Sequence, residues 1–328
     1  MTELYDVAAI GNAIVDVIAP ATEAFIAENK LDKGAMTLVD AEQSAALYAR
    51  MQAGVEASGG SAGNTIAGLA SFGGRGAFFG KVADDKLGEV YAHDMRAQGA
   101  WFGTKPLVGG PATAVSMINV TPDGERTMCT YLGASTQFAA DDIDPAIVEA
   151  AAIVYLEGYL FDAEEARRAF AKAAGLAHGA GRQIAITLSD GFVVERHREA
   201  LLGFIESQVD ILFANEGELT ALFQTDFDSA LEAVRGKAKL AAVTRGASGS
   251  VIVRGAETVS VGAERVEKVV DTTGAGDQYA AGFLYGLAKD KPLAACGALG
   301  SLAAAEVISH YGPRPLTSLK DLAASKGL

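Results

Sequence analysis

The second half of the chain alternates short apolar runs with longer helical stretches. Helical patterns are predicted at residues 163–178 and 194–207, and a further helix starts at Glu216. The apolar runs between them are predicted strands and lie at residues 153–156, 184–188, 210–214 and 241–244. Such βα alternation requires a parallel sheet with helices on both faces. In sheets of this kind, ligands gather at the carboxyl ends of the strands.

A glycine-bearing turn opens a predicted helix near the C-terminus. It has the sequence Asp-Thr-Thr-Gly-Ala-Gly-Asp over residues 271–277, and a small, apolar helical segment follows it through Leu287. Amides at such a turn, together with the helix dipole, favour an anion. The carboxylate of Asp277 would repel that anion. Its presence is explained if it serves as a general base for a hydroxyl that attacks a phosphorus atom above the turn. The alternative is a tight connection in which Asp277 complements the helix dipole, and the turn alone does not decide between the two.

Two polar segments in the first hundred residues are candidate substrate sites. Asn12 and Asp16 follow the predicted strand at residues 7–10, and their even spacing places both on one face if the chain stays extended. Gly59 and Gly60 precede a small-residue helix that begins near Asn64, whose amide could reach a ligand hydroxyl. The alternatives are a solvated strand face for the first segment and close helix–sheet packing for the second.

Two further candidates lie at predicted strand ends. Asn215 and Glu218 are one helical turn apart, so they could hold Mg²⁺ through water or form a reciprocal helix cap, and both roles are compatible. Thr244, Gly246 and Gly249 form a strand–turn suited to the phosphate tail of a nucleotide, with an ordinary β-turn as the alternative.

Residues 102–132 interrupt the βα pattern. Strands are predicted at residues 102–107, 112–120 and 126–132, with residues 121–124 as a hairpin turn and no helix between them. Another strand is predicted at residues 34–40, and a helix at about 42–53. The segment from 102 to 132 is therefore expected to be an antiparallel excursion from the main sheet.

Composition excludes several classes of function. The net charge of −14 over 328 residues argues against a nucleic-acid partner. There is no Gly-x-Gly-x-x-Gly after an early strand, no Walker phosphate loop and no zinc-type cluster of His and Cys. The N-terminus lacks a basic secretory region, and no run of ~18 uncharged apolar residues occurs, so no membrane association and a cytoplasmic location are expected. Two cysteines suit a reducing compartment.

The glycine-bearing turn resembles the C-terminal signature of the ribokinase-like (PfkB) carbohydrate and nucleoside kinases, Asp-Thr-x-Gly-Ala-Gly-Asp. Gln278 and Tyr279 depart from the residues usual in that family, which are a small residue and Phe. The Gly-Gly-x-x-x-Asn of residues 59–64 resembles the N-terminal signature of the same family. Residues 11–16 are similar to the Gly-Asn-x-x-x-Asp with which its adenosine kinases open, and residues 215–218 resemble its Asn-x-x-Glu motif.

This resemblance implies one three-layer αβα domain with a mostly parallel central sheet and a small antiparallel β lid. The large core would comprise residues 1–14, 41–100 and 135–328, and the lid residues 15–40 and 101–134. Three side chains are expected to face the substrate from the lid, with core packing as the alternative: Met36, Met117 and Tyr131. Arg126 is expected to approach the transferred phosphate, with a surface position as the alternative.

The resemblance also implies a reaction. Asp277 would accept the proton of a hydroxyl, while the amides of Gly274, Ala275 and Gly276 stabilise the phosphoryl group in transfer. ATP would be the co-substrate, bound by local groups and Mg²⁺, with Thr273 among the ATP-binding residues and a monovalent cation such as K⁺ enclosed near it. The predicted acceptor is the 5′ hydroxyl of adenosine, in a monomer or homodimer. The alternatives are a kinase for ribose, fructose or 2-keto-3-deoxygluconate, and a nucleoside-binding sensor.

Overall fold

The structure is a computed structural model that describes residues 4–328. Within that range the strands are β1 Tyr5–Ile10, β2 Ile14–Pro20, β3 Met36–Leu38, β4 Val55–Ser58, β5 Gly76–Phe79, β6 Ala114–Val120, β7 Arg126–Tyr131, β8 Ala151–Glu157, β9 Gln183–Thr187, β10 Ile211–Asn215, β11 Leu240–Thr244, β12 Ser250–Arg254 and β13 Glu257–Val261. The α-helices are α1 Glu23–Glu28, α2 Ala41–Tyr48, α3 Ser61–Ser71, α4 Lys86–Ala97, α5 Pro145–Glu149, α6 Glu164–Gly179, α7 Gly191–Gln208, α8 Glu216–Phe223, α9 Phe227–Arg235, α10 Ala275–Ala288, α11 Leu293–Val307 and α12 Leu319–Ser325.

The larger of two sheets has the strand order β5-β1-β8-β9-β10-β11-β12-β13. The pairs from β5 to β11 are parallel, and β12 and β13 add two antiparallel pairs at one edge. The βα alternation of the sequence therefore gives the parallel sheet that it predicts. The carboxyl ends of β1, β8, β9, β10 and β11 lie along one edge of this sheet.

Helices cover both faces of the large sheet, and the residues of β1 show how. Ala8 and Ile10 belong to a core formed with α5, α6, α7, α8 and α9. Val7 and Ala9 belong to a second core, formed with α3, α4, α10 and α11. Because both faces are covered, every residue from Val7 to Ile10 is fully buried, which explains the uninterrupted apolar run in the sequence. The architecture is thus three-layered, as expected.

The second sheet has the order β3-β7-β6-β2-β4 and is called the lid sheet below. Its pairing is mixed, so the expectation of an antiparallel lid is only partly right. The pairs β6–β7 and β2–β4 are antiparallel, whereas β2–β6 and β3–β7 are parallel. The parallel pairs arise because β2 and β3 enter from the N-terminal segment and flank a hairpin that is formed about one hundred residues later.

Two segments lie elsewhere than the predicted boundaries place them. Strand β4, in a segment assigned to the core, pairs with β2 in the lid sheet. The strand predicted at 102–107 is absent, and this segment instead makes single bridges from Trp101 to Ala77 and from Leu107 to Ala83, beside the large sheet. Among residues 4–328, none of the helices combines the length and apolarity needed to cross a bilayer. Cys129 and Cys296 are both buried free thiols.

Candidate active site

The candidate site is a cavity of about 360 Å³ where the strand ends of the large sheet meet the N-terminus of α10. The parallel strands contribute residues at or just after their carboxyl ends, as the sheet topology predicts. The polar or glycine residues among its lining are Ser61, Tyr159, Thr187, Ser189, Asn215, Glu218, Thr244, Thr273, Gly274, Gly276, Asp277 and Tyr279.

The turn before α10 presents free backbone donors. Gly274 has φ +78°, and a Cβ on it would lie 2.7 Å from Pro313, so this position requires glycine. In the described part of the chain, the amides of Gly274, Gly276 and Asp277 have no hydrogen-bond acceptor. The amide of Ala275 instead donates to Thr272 O at 3.2 Å. Of the three amides predicted to form an anion hole, Gly274 and Gly276 are therefore free, whereas the amide of Ala275 closes the turn and the amide of Asp277 is a further free donor.

Asp277 is held by two side chains of α3. Ser61 Oγ donates to Asp277 Oδ1 at 2.6 Å, and Asn64 Nδ2 donates to Oδ2 at 3.0 Å. Burial raises the pKa of Asp277, while these two hydrogen bonds and the nearby charge of Arg314 oppose that rise. Both ends of the Asn64 amide are engaged within the protein, so its predicted contact with a ligand hydroxyl stays a prediction.

Asn12 and Asp16 do not share a face. The chain is not extended between them, because β1 ends at Ile10 and β2 begins at Ile14. Asn12 is buried and donates from Nδ2 to Glu157 Oε1 at 2.7 Å, so it is a structural residue. Asp16 is half-buried. No group among residues 4–328 donates a hydrogen bond to its side chain, so the carboxylate is free to accept one from a ligand.

The charge of Asp16 depends on its surroundings. Burial raises its pKa to about 6, and Arg314 and Arg126 act in the opposite direction. Gly59 lies against this carboxylate, where a Cβ would collide with it, and Gly60 has φ +83° and caps α3. The Gly-Gly pair therefore permits the close approach of β2 and α3, which is the packing role given above as the alternative.

Strand register separates the three predicted lid contacts. Asp16 pairs with Ser116, and Ser116 with Thr130, so all three point to one face of the lid sheet. Met117 pairs with Val17 and Cys129, and Tyr131 lies two residues beyond Cys129, so both residues point to the opposite face. That face is packed in the second core, so Met117 and Tyr131 have the packing role.

Met36 differs from these two residues. It pairs with Met128, two residues before Thr130, and so shares the face of Asp16, although it lies on the edge strand β3 and is 50% exposed. Ser116 and Thr130 were not predicted, because the lid residues were predicted from apolar side-chain type. Their hydroxyl oxygens lie 3.0 Å apart on the same face as Asp16.

Arg126 connects the lid sheet to the α10 turn. Its Nη1 donates to Asp271 Oδ2 in a buried ion pair, and the same oxygen accepts from the amide of Gly312 at 3.1 Å. The other Asp271 oxygen accepts from the amide of Thr273 at 2.9 Å. Arg126 is 8% exposed, so the alternative of a surface position is wrong.

A second cavity of about 590 Å³ adjoins the first. Thr244, Gly276 and Tyr279 line both cavities, so the two meet at the start of α10. Gly246 and Gly249 line the second cavity, whereas Asn215 and Thr273 line the first. The residues predicted to bind a nucleotide therefore form one continuous surface around the α10 turn.

Asn215 and Glu218 form a reciprocal cap at the N-terminus of α8. Asn215 Oδ1 accepts from the Glu218 amide at 2.8 Å, and Glu218 Oε1 accepts from Asn215 Nδ2 at 2.7 Å. Burial raises the pKa of Glu218 to about 7. Residues 4–328 contain no cluster of three or more His, Cys, Asp or Glu suited to a metal. A single carboxylate beside a phosphate-sized cavity fits Mg²⁺, which keeps several waters and takes its other ligands from phosphates.

Besides Ser116 and Thr130, three further residues at or near the site were not predicted. Ser61 lies between the two predicted glycines and Asn64, Glu157 ends β8, and Arg314 lies in the loop between α11 and α12. Glu157 is 1% exposed and accepts from the Ala62 amide at 2.9 Å; burial raises its pKa to about 7. An acidic residue at the end of a predicted parallel strand is a signal that could have identified Glu157. No local pattern marks Arg314.

Residues 6–319 match the pfkB family carbohydrate kinases. The chain therefore belongs to this family, and it is a phosphotransferase with an alcohol group as acceptor and ATP as co-substrate.

The chain is similar to relatives named as adenosine kinases and to one named as a sugar kinase. The adenosine kinase of Sinorhizobium meliloti has a solved structure that is 55% identical, with a TM-score of 0.90 over 98% of this chain and 99% of that one. A "probable sugar kinase protein" from Rhizobium etli CFN 42 is 49% identical, with a TM-score of 0.91 over 100% and 99%, which confirms the ribokinase-like fold. The adenosine kinase of Saccharomyces cerevisiae is 29% identical over 93% of this chain and 95% of its own length.

Proposed function

We propose that this kinase transfers the γ-phosphoryl group of ATP to the 5′ hydroxyl of adenosine, giving AMP. The observation that carries the proposal is the placement of Asp277 in one cavity with the unpaired amides of Gly274 and Gly276. The carboxylate can accept a proton from a hydroxyl, and the free amides beside it can stabilise the negative charge of a phosphoryl group during transfer.

Asp277 is the proposed general base. Ser61 and Asn64 fix its two oxygens, so the carboxylate keeps one orientation as the acceptor hydroxyl approaches. It accepts the hydroxyl proton while the oxygen attacks the γ-phosphorus, and the bond from that phosphorus to the β,γ-bridging oxygen breaks. The free amides at the start of α10 stabilise the charge on the phosphoryl oxygens during the transfer.

ATP is proposed to occupy the larger cavity, with its phosphates directed toward the α10 turn. Thr244, Gly246 and Gly249 line that cavity, and Gly276 lines both cavities. Asn215 and Glu218 would hold Mg²⁺ through water, and Mg²⁺ when bound would neutralise the charge of the phosphates. Closure of the lid sheet would exclude water that could hydrolyse ATP.

Adenosine is the proposed acceptor because Asp16, Ser116 and Thr130 offer polar groups on one face of the lid sheet, and Asp16 is coupled electrostatically to Asp277. Asp16 has no partner within the described protein, so it can accept hydrogen bonds from the vicinal hydroxyls of a ribose. The adenosine kinase relative at 55% identity favours this acceptor. A sugar kinase is the second candidate, since Fructokinase-1 of Zea mays is 29% identical over 72% of this chain and 75% of its own length.

The test is ATP consumption with Mg²⁺ over a panel of adenosine, inosine, guanosine, ribose, fructose and 2-keto-3-deoxygluconate. A kcat/KM for adenosine well above that for every free sugar is the expected result. Preference for a free sugar would refute the assignment of adenosine as the acceptor. It would not affect the proposal that Asp277 is the general base of a kinase. Binding of adenosine without turnover of any substrate would instead indicate a nucleoside sensor.

A second test concerns Asp16. The Asp16→Ala variant should raise the KM for adenosine roughly tenfold or more, because hydrogen bonds to a charged group contribute strongly to binding, while kcat changes little. Since the pKa of Asp16 is about 6, the wild-type KM should rise as the pH falls below 6 and the carboxylate is protonated. The matched Asp16→Asn variant should lose this pH dependence. An unchanged KM in both variants would show that Asp16 has only a structural role.

A further inference from the structure

Arg314 lies next to the proposed base but does not touch it. Its side chain is 18% exposed, and Nη1 donates to Ser58 Oγ at 2.8 Å and lies 3.6 Å from Asp94 Oδ2. Its Nε donates to Asn64 Oδ1 at 3.3 Å. Arg314 is thus anchored on one side by Ser58 and Asp94, and it contacts Asn64 on the other.

The contact with Asn64 decides which way the Asn64 amide points. The oxygen and the nitrogen of an amide are almost identical in shape, so hydrogen-bond partners determine its orientation. A guanidinium can only donate, so it requires the amide oxygen on its side. The amide nitrogen must then face Asp277, where it donates to Oδ2 at 3.0 Å. With the amide reversed, its oxygen would face the carboxylate and repel it.

The same guanidinium brings positive charge to an acidic neighbourhood. The other titratable groups coupled electrostatically to Asp277 or Arg314 are Asp16 on β2, Tyr91 and Asp94 on α4, Tyr155 and Glu157 on β8, and Tyr159 after β8. Ser61 and Asn64 face Asp277 from α3 without charge. Arg314 is the charged group that opposes the effect of burial on Asp277.

Gln278 fixes the loop that carries Arg314. Its Nε2 donates to Pro313 O at 2.9 Å and to Asn64 O at 3.0 Å, and its side chain is fully buried. The residue next to the proposed base therefore joins the backbone before Arg314 to the backbone of Asn64. This gives the unusual glutamine at 278 a defined structural task.

We propose that Arg314 is a positioning residue for phosphoryl transfer, which orients the Asn64 amide toward Asp277 and places positive charge near the proposed base. The proposal rests on the proposed role of Asp277. It concerns the acceptor side of the site and is independent of which alcohol is phosphorylated.

The test is the pH profile of kcat at saturating acceptor for Arg314→Met, Arg314→Lys, Asn64→Ala and the Arg314→Met/Asn64→Ala double variant. The profile of kcat is used because Asp16, whose protonation affects KM, is also coupled to Arg314. In Arg314→Met, the acidic limb of the profile should move up by about one pH unit, because a nearby positive charge lowers the pKa of a carboxyl by at least that much. The rate near the acidic limb should fall about tenfold and partly recover at high pH. Arg314→Lys, which retains the charge, should keep the limb near its wild-type position.

Coupling with Asn64 tests the orientation of the amide. If Arg314 acts through Asn64, Arg314→Met should reduce kcat less when Asn64 is already replaced by Ala than it does in the wild-type protein. The effects of the two substitutions on kcat will then not be additive. Arg96→Met is the matched control, because Arg96 also donates twice, to Phe102 O at 3.2 and 3.0 Å, in a different part of the molecule. It should leave the pH profile unchanged.

Every assay uses the alcohol that the wild-type enzyme phosphorylates, so a wrong substrate shows in the wild-type panel alone. Full activity of Asp277→Asn would refute the proposed base, and with it this proposal. With the base confirmed, an unmoved acidic limb in Arg314→Met, or fully additive effects with Asn64→Ala, would overturn the role of Arg314. If Arg314→Met fails to fold, additivity is measured with Arg314→Lys, and the same criterion applies.

Discussion

Helices α8 and α10 both begin at the edge of the large sheet where the parallel strands end, and their N-termini differ in chemistry. The N-terminus of α8 is closed by its own side chains, since Asn215 and Glu218 satisfy each other's donors. The N-terminus of α10 begins at Gly274, which has no side chain to cap it, and leaves amides without acceptors. One backbone geometry therefore gives a self-satisfied helix end and an open one.

The difference shows where each helix can contribute to the reaction. Only the open end can offer backbone donors to an anion. The closed end offers a carboxylate, because the cap leaves lone pairs on the oxygens of Glu218. Residues of both helix ends line one cavity, so free amide donors and a candidate cation ligand face the same space. A nucleoside triphosphate with its metal requires both.

The largest expected effect comes from the acidic residue of the open end. Asp277→Asn should lower kcat by about 10²–10⁴-fold, because the amide cannot accept the hydroxyl proton. The affinity for adenosine, measured by calorimetry, should change little, and an unaltered melting temperature would show that the fold is intact. A variant with near-wild-type kcat would mean that the open end binds the anion without supplying the base.

An intermediate effect is expected from closing the turn with a side chain. Gly274→Ala places a Cβ 2.7 Å from Pro313 at φ +78°, where a non-glycine residue costs roughly 1–2 kcal/mol. The free energy of unfolding in urea should fall by at least that amount, and the KM for ATP should rise because the free amides are displaced.

Gly276→Ala is the matched control for stability alone. A Cβ at Gly276 has nothing within 4 Å, and the position is helical. Its free energy of unfolding should be unchanged or slightly higher. Equal losses of stability in the two variants would show that glycine is not required at position 274 for its conformation.

The open helix end could be predicted from the sequence because its determinants are local. The glycines and the apolar helical segment that follows them lie within about twenty residues, and in the structure α10 begins directly after Gly274. The parallel sheet is predictable for the same reason, since each βα unit carries its own hydrophobic period. The role of Asn12 could not be predicted in this way. A three-residue break between β1 and β2 directs its side chain toward Glu157, which is 145 residues away in the sequence.

Two of the three predicted lid contacts lie on the opposite face for a related reason. Met117 and Tyr131 have suitable side chains, but the face on which a side chain lies depends on strand parity relative to Asp16. Parity can be counted only when the pairing of strands is known, and β2 pairs with β6 about one hundred residues away. Arg314 shows the same limit, because its partners Ser58 and Asn64 come from the opposite end of the chain.

The smallest effects should come from the closed helix end, where capping and charge can be separated. Asn215→Ala removes the cap of α8 and should cost about 1 kcal/mol of unfolding free energy. Glu218→Gln retains the Asn215 cap and an acceptor oxygen but removes the charge, so it should chiefly raise the Mg²⁺ concentration that gives half-maximal rate. Since the pKa of Glu218 is about 7 without a cation, this difference from the wild type should be large at pH 8 and small at pH 6, where the wild-type carboxyl is itself protonated. A Mg²⁺ dependence that is equal for both proteins at pH 8 would restrict Glu218 to capping, and the closed end would then contribute structure alone.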